Sequence, residues 1–114
     1  MCARKLDSRV VTQYVTRMIL GFSDPDTERL FRTGKVSRRC PWQHVLKVAK
    51  RKLDGLHAAE HINDLLGPPG NRLELLKGDL AGRWSIRIND QFRIVFRWDK
   101  GSPNPSEVEI RDYH

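Results

Sequence analysis

Gly70-Asn71-Arg72-Leu73-Glu74-Leu75-Leu76-Lys77-Gly78-Asp79 and the run Trp84-Ser85-Ile86-Arg87-Ile88-Asn89-Asp90-Gln91-Phe92-Arg93-Ile94-Val95-Phe96-Arg97-Trp98 decide the fold. In the second run Trp84, Ile86 and Ile88, then Phe92, Ile94, Phe96 and Trp98, occupy alternate positions, the period of a strand with one buried face. The turn sets which faces meet. A two-residue turn at Asn89-Asp90 opposes Ile86 to Arg93 and mixes the faces, because a slip of one residue turns every side chain over. A three-residue loop, Asn89-Asp90-Gln91, opposes Ile88 to Phe92, Ile86 to Ile94 and Trp84 to Phe96. That register is expected, with the aromatics in the core and Arg87 and Arg93 together on the other face. Arg72 to Leu76 reads as a preceding strand and Glu107 to Arg111 as a final one, with Val108 and Ile110 inward.

Upstream the pattern turns helical. Asp24-Pro25-Asp26 is a helix start, in which Asp24 caps, Pro25 suits the first turn, and Asp26 and Glu28 oppose the helix dipole. This helix points Leu30 and Phe31 inward and stops at Thr33-Gly34. A longer helix is expected from Pro41 to about Ala59, on the stripe Val45, Val48, Ala49, Leu53 and Leu56. Lys47, Lys50 and Arg51 then read as a solvated face. A helical turn at Ile62 to Leu65 leads to the breaker Gly67-Pro68-Pro69-Gly70. Met18 to Phe22 reads as a short first strand. The expected fold class is therefore α+β: an N-terminal strand, two helices, then an antiparallel sheet with the helices on one face.

The 114 residues are 39% hydrophobic and 31% charged, enough for one domain and too apolar for a disordered chain. The domain is placed at 18–114, with 1–17 as an N-terminal extension that is basic and weakly patterned. A net charge of +7 favours a polyanionic or acidic partner. Four of the 21 basic and one of the 14 acidic residues lie in 1–17, so a net +4 survives without them. Two cysteines are too few for a disulfide framework, and there is no secretory signal or apolar run of membrane length. A cytoplasmic protein with no membrane partner is expected. Cys40 with His44, and His57 with His61, are spaced to share a metal, but neither has a second pair at zinc spacing, so no metal and no cofactor is expected.

The chemistry that these residues fit is metal-free cleavage of RNA. The ribose 2′-hydroxyl needs a base, the leaving 5′-oxygen an acid, and the crowded phosphorus a fixed positive charge. Arg93 and Lys77 are candidates for the charge, and Glu74, Asp112, Tyr113 and His114 for proton transfer, His114 having an unperturbed pKa near neutrality. Arg72, Arg87 and Gln91 are expected to touch the RNA. The plain alternatives are a Glu74 that only pairs with a neighbouring arginine and arginines that only solvate an open sheet face.

The run Pro68 to Glu74, Leu76-Lys77-Gly78-Asp79, Ser85 to Gln91, Arg93-Ile94, Phe96-Arg97-Trp98, Val108-Glu109-Ile110 and Asp112-Tyr113-His114 closely resembles the HigB branch of the RelE/ParE toxin superfamily. Met18-Ile19, Phe22 and Leu30 to Gly34 match as well, so the resemblance covers Met18 to the last residue. It implies a fold of the small microbial ribonuclease type and a toxin of a type II toxin–antitoxin pair. By this resemblance the chain would enter the ribosomal A site and cut mRNA without metal, leaving a 2′,3′-cyclic phosphate and a 5′-hydroxyl. The implied partners are a HigA-like helix-turn-helix antitoxin, the ribosome with its mRNA, and operator DNA through the antitoxin complex. Lys77, Arg93, Asp112, Tyr113 and His114 fall on positions implicated in RNA binding or cleavage, and Gln91 stands where many members have Asn. Several members have His at the position of Glu74, so that acid or base is a carboxylate here or is absent. The competing readings are a non-enzymatic gyrase poison of the ParE kind and a basic nucleic-acid-binding module.

Overall fold

The computed structural model describes residues 19–68, 70–99, 101–102 and 104–112. Helix α1 (Pro25–Thr33) begins as its sequence dictates. Asp24 Oδ1 accepts from the Asp26 N–H, and the chain leaves through Gly34 at φ 78°, whose N–H returns to the Leu30 carbonyl. Helix α2 (Leu46–Ala58) starts later than expected. Pro41 and Trp42 lie in a turn, and Gln43–Val45 form one 3-10 turn before the α-helix begins. Trp42 is 3% exposed, and seating that indole in the core draws the entry into short i→i+3 turns. Ala49, Leu53 and Leu56 form the buried stripe, with Val45 and Val48 half-buried. Ile62–Leu65 make a further 3-10 turn.

Strands β1 (Glu74–Leu75), β2 (Trp84–Arg87), β3 (Phe92–Arg97) and β4 (Ser106–Asp112) form an antiparallel sheet in chain order. The β2–β3 register is the one required by the three-residue loop, Ile86 facing Ile94 and Trp84 facing Phe96, with the Ile88 N–H on the Phe92 carbonyl. Asn89 closes the loop by accepting from the Gln91 and Phe92 N–H groups. Carried across β4, the register stacks Ile86, Ile94 and Ile110 beneath the helices and leaves Arg87, Arg93 and Arg111 in one row outside. Leu30, Leu53, Leu56, Phe92, Phe96 and Val108 complete the core.

Two expected strands are shorter than their sequences promised. The segment Arg72 to Leu76 pairs as a strand only at Glu74–Leu75, because Arg72 takes a left-handed backbone, φ 45°, and leaves the ladder. The N-terminal strand reduces to a parallel bridge between Phe22 and Val108, flanked by hydrogen bonds at Leu20, Gly21 and Ser23, and Met18 lies outside the described residues. A bulge in β4, where Glu107 has φ 50°, accommodates the extra residue between the Val95–Glu109 and Arg97–Ser106 pairs.

Beyond Ser23, the outer edge of β4 is covered by a side chain. Thr27 is fully buried; its hydroxyl accepts from the Ile110 N–H at 3.0 Å and donates to Asp24 Oδ2 at 2.6 Å. One hydroxyl thus ties helix cap to sheet edge. Thr27→Val keeps the shape and strands a buried N–H, and should lower the stability by about 1–3 kcal/mol. Urea unfolding of the valine and serine variants checks this, serine retaining most of the stability.

Candidate functional site

Arg93 projects from β3 across β2 to the β1 segment. Its Nε donates to Ser85 Oγ at 2.7 Å and its Nη2 to the Arg72 carbonyl at 2.6 Å. Glu74 Oε1 lies 3.9 Å from the same Nη2, on a carboxylate whose side chain is 55% exposed, while that of Arg93 is 12% exposed. Ser85 is fully buried, so one side of the guanidinium rests on fixed acceptors away from water. A cation held in this way attracts an anion more strongly than one moving in solvent.

The backbone that presents the Arg72 carbonyl is itself shaped by sequence. Gly70 takes φ 86° and Arg72 φ 45°, and Asn71 between them is 5% exposed. The Asn71 side chain donates through Nδ2 to the Leu65 carbonyl and accepts through Oδ1 from Lys52 Nζ at 2.8 Å. Its carbonyl accepts the Arg87 N–H, continuing the β1–β2 ladder past the strand end. The left-handed turn that seats Arg93 is thus pinned from below by a buried amide and a lysine.

Arg87 and Arg111 flank Arg93 in the same row, each with an acid of its own: Arg87 bonds Asp90, and Arg111 lies 3.6 Å from Glu109. Arg87 holds the Asp90 carboxyl below its ordinary range, first by hydrogen bond and then by charge. Further along the face, Glu107 pairs with Arg83 at 2.9 Å and with Arg97 at 3.8 Å. The face is therefore a lattice of ion pairs, whose guanidinium forks match phosphate oxygens as well as carboxylates.

The structure brings Arg72, Glu74, Arg87 and Arg93 together. Lys77 is exposed at the start of the Gly78–Leu80 turn, three residues past Glu74 and beyond the end of β1. Asp112 faces Phe92 in the register, so it belongs to the helix side at the sheet's end, where Oδ2 accepts from Gln91 Nε2 at 3.0 Å. Tyr113 and His114 lie outside the described residues. Among the paired thiol and imidazole candidates, Cys40 is buried, and burial pushes its thiol pKa up. The His57 ring accepts the Ile19 N–H at 3.3 Å and contacts Phe31.

Sequence reading missed Lys52, Asn71, Ser85 and Arg111. Extending the isoleucine register to Ile110 was enough to place Arg111 beside Arg93. Nothing in the local sequence marks the Lys52–Asn71 tie, which joins a helix to a loop. Burial lowers the Lys52 pKa, helped by the charges of Arg51, Arg87 and Arg93. The folded state therefore holds this proton less firmly than the unfolded chain. Stability should rise with pH between the lowered value and the ordinary lysine range, and the penalty is complete below it. Lys52→Met should flatten that part of the curve, read as the difference in urea midpoints from wild type across alkaline pH.

Comparison with known proteins agrees with this architecture. The family model described as the RelE-like toxin of type II toxin-antitoxin system HigB matches residues 20–114. Toxin HigB-1 of Vibrio cholerae is 42% identical over 84 residues, covering 74% of this chain and 87% of that one. An uncharacterized protein of Haemophilus influenzae is 34% identical over 93 residues, covering 82% and 91%. Among solved structures, the YoeB/ParE toxin from Agrobacterium tumefaciens superposes with a TM-score of 0.52 at 20% identity, covering 85% of this chain and 99% of that one, a likeness of fold.

Proposed function

The chain belongs to the HigB family of RelE-like toxins of type II toxin–antitoxin systems, and on that basis we propose that it is a metal-independent endoribonuclease cutting mRNA in the ribosomal A site. The observation that carries this reading is the seated guanidinium of Arg93 with the Glu74 carboxylate 3.9 Å away on one exposed face. It supplies a fixed cation beside a proton acceptor, the pair that in-line attack on a phosphodiester requires.

In this reading Arg93 binds the non-bridging oxygens of the scissile phosphate, with Arg87 and Arg72 holding the neighbouring backbone. Glu74 takes the 2′-hydroxyl proton as the 2′-oxygen attacks phosphorus. The P–O5′ bond then breaks, the 2′,3′-cyclic phosphate forms, and the 5′-oxygen leaves with a proton from Tyr113 or His114 of the closing segment, whose preceding residue Asp112 is held by Gln91 at the sheet's end. Lys77 contributes charge to the RNA track and Gln91 a contact near the reacting phosphate. No metal takes part. Membership of a two-gene system supports a HigA-like helix-turn-helix antitoxin as partner, repression of operator DNA by the complex, and action in the cytoplasm on the ribosome. The family match from residue 20 supports a toxin domain at 18–114 preceded by an extension.

Induced expression should arrest growth and leave mRNA cuts inside translated codons. Arg93→Ala should lower the cleavage rate on programmed ribosomes by about 10²–10³-fold, and lysine should not restore it, lacking the planar fork. Because Arg93 also braces the β1 segment, Glu74→Gln gives an isosteric second measurement, with an expected loss of about 10²-fold or more. Unchanged cleavage by a folded Glu74→Gln protein would remove the carboxylate from the mechanism. Growth arrest with intact mRNA would overturn the nuclease reading, and loss of DNA supercoiling would point to a gyrase poison instead.

A further inference from the structure

A cavity of about 410 Å³ opens beside the β1 edge, lined by Arg51, Lys52 and Gly55 of α2 and by Asp64, Leu65, Pro68 and Asn71. Its size falls within the range of small-ligand sites. Leu65 and Pro68 supply apolar lining, and the charged residues are Arg51, Lys52 and Asp64, the Asp64 carboxylate accepting from the Glu60 and His61 N–H groups. Asn71 joins the cavity to the arginine row: it is one of the lining residues, its carbonyl takes the Arg87 N–H, and the next carbonyl takes Arg93. Gly55 has no atom within 4 Å of the place a Cβ would occupy. A glycine inside a helix weakens it, and this one keeps the cavity wall open.

We propose that this cavity is a nucleobase subsite, receiving the base of the nucleotide next to the one whose phosphate sits on Arg93. The inference rests on the phosphate reading of Arg93 given above. The chemistry fits a nucleotide: the exposed Arg51 guanidinium can lie flat on a base, Leu65 and Pro68 offer an apolar bed, and Lys52 can meet the phosphate or a carbonyl edge. The RNA backbone would follow the arginine row and turn over the sheet margin at Gly70. Base identity at that position would then influence which codons are cut.

The test is an amide-resolved NMR titration of the full chain with a trinucleotide made uncleavable by 2′-deoxy sugars. The expected result is perturbation at Gly55, Leu65 and Asn71 together with Arg87 and Arg93. Gly55→Leu, which fills the cavity from a permissive helix position, should keep the thermal midpoint, silence the cavity amides and weaken binding about tenfold. It should also flatten nucleotide preference beside the cut on programmed ribosomes. Perturbation confined to the arginine row, or unchanged affinity in the leucine variant, would overturn the subsite. Perturbation of the cavity alone would instead refute the Arg93 phosphate reading and leave a nucleotide pocket standing. An acidic peptide that moves the cavity amides when the trinucleotide does not would assign the cavity to a protein partner and overturn the proposal.

Discussion

The pairing of β2 with β3 governs the rest of the molecule. Asn89 folds a three-residue loop under its own carboxamide, and from that one turn every side chain on three strands takes its side. Isoleucines and aromatics meet the helices, and arginines line the opposite face. A slip of one residue would drive Arg87 or Arg93 into the apolar core, where an unpaired charge costs several kcal/mol or more. The helices then need only cover what the sheet presents, which they do with Leu30, Leu53 and Leu56.

Within that frame the site depends on backbone conformations that most residues avoid. Arg72 at φ 45° exposes its carbonyl to Arg93, and the cost of a left-handed arginine is offset by the buried ties of Asn71 to Leu65 and Lys52. The arrangement is consistent with a cation prepared in advance for charge that develops on phosphorus. Partial burial lowers the Lys52 pKa, and the charges of Arg51, Arg87 and Arg93 lower it further.

Much of this was legible in the sequence, for physical reasons. The alternation of Trp84, Ile86 and Ile88 against Phe92, Ile94 and Phe96 fixed a face, and Asp24, Pro25 and Gly34 marked helix ends through local hydrogen bonding. Reading failed where tertiary contacts override local preference. Pro41 suggested a helix start, yet burial of Trp42 delayed the α-helix to Leu46. Arg72 to Leu76 had strand character, yet Arg72 bends out of the ladder. Asp112 was a candidate for proton transfer by its carboxylate and by the resemblance, while the β3–β4 register pairs it with Phe92 and puts Arg111 beside Arg93. The Lys52–Asn71 contact joins residues 19 apart on different elements, and no period reports it.

The two margins of the sheet have a shared consequence. On the β4 side, the backbone of Gly21 and Ser23 and then the Thr27 hydroxyl occupy the outward-facing groups. On the β1 side, the ladder is two residues long and bent by Arg72. Among the described residues, neither margin presents the long, straight run of open amides on which another chain could crystallise into a shared ribbon.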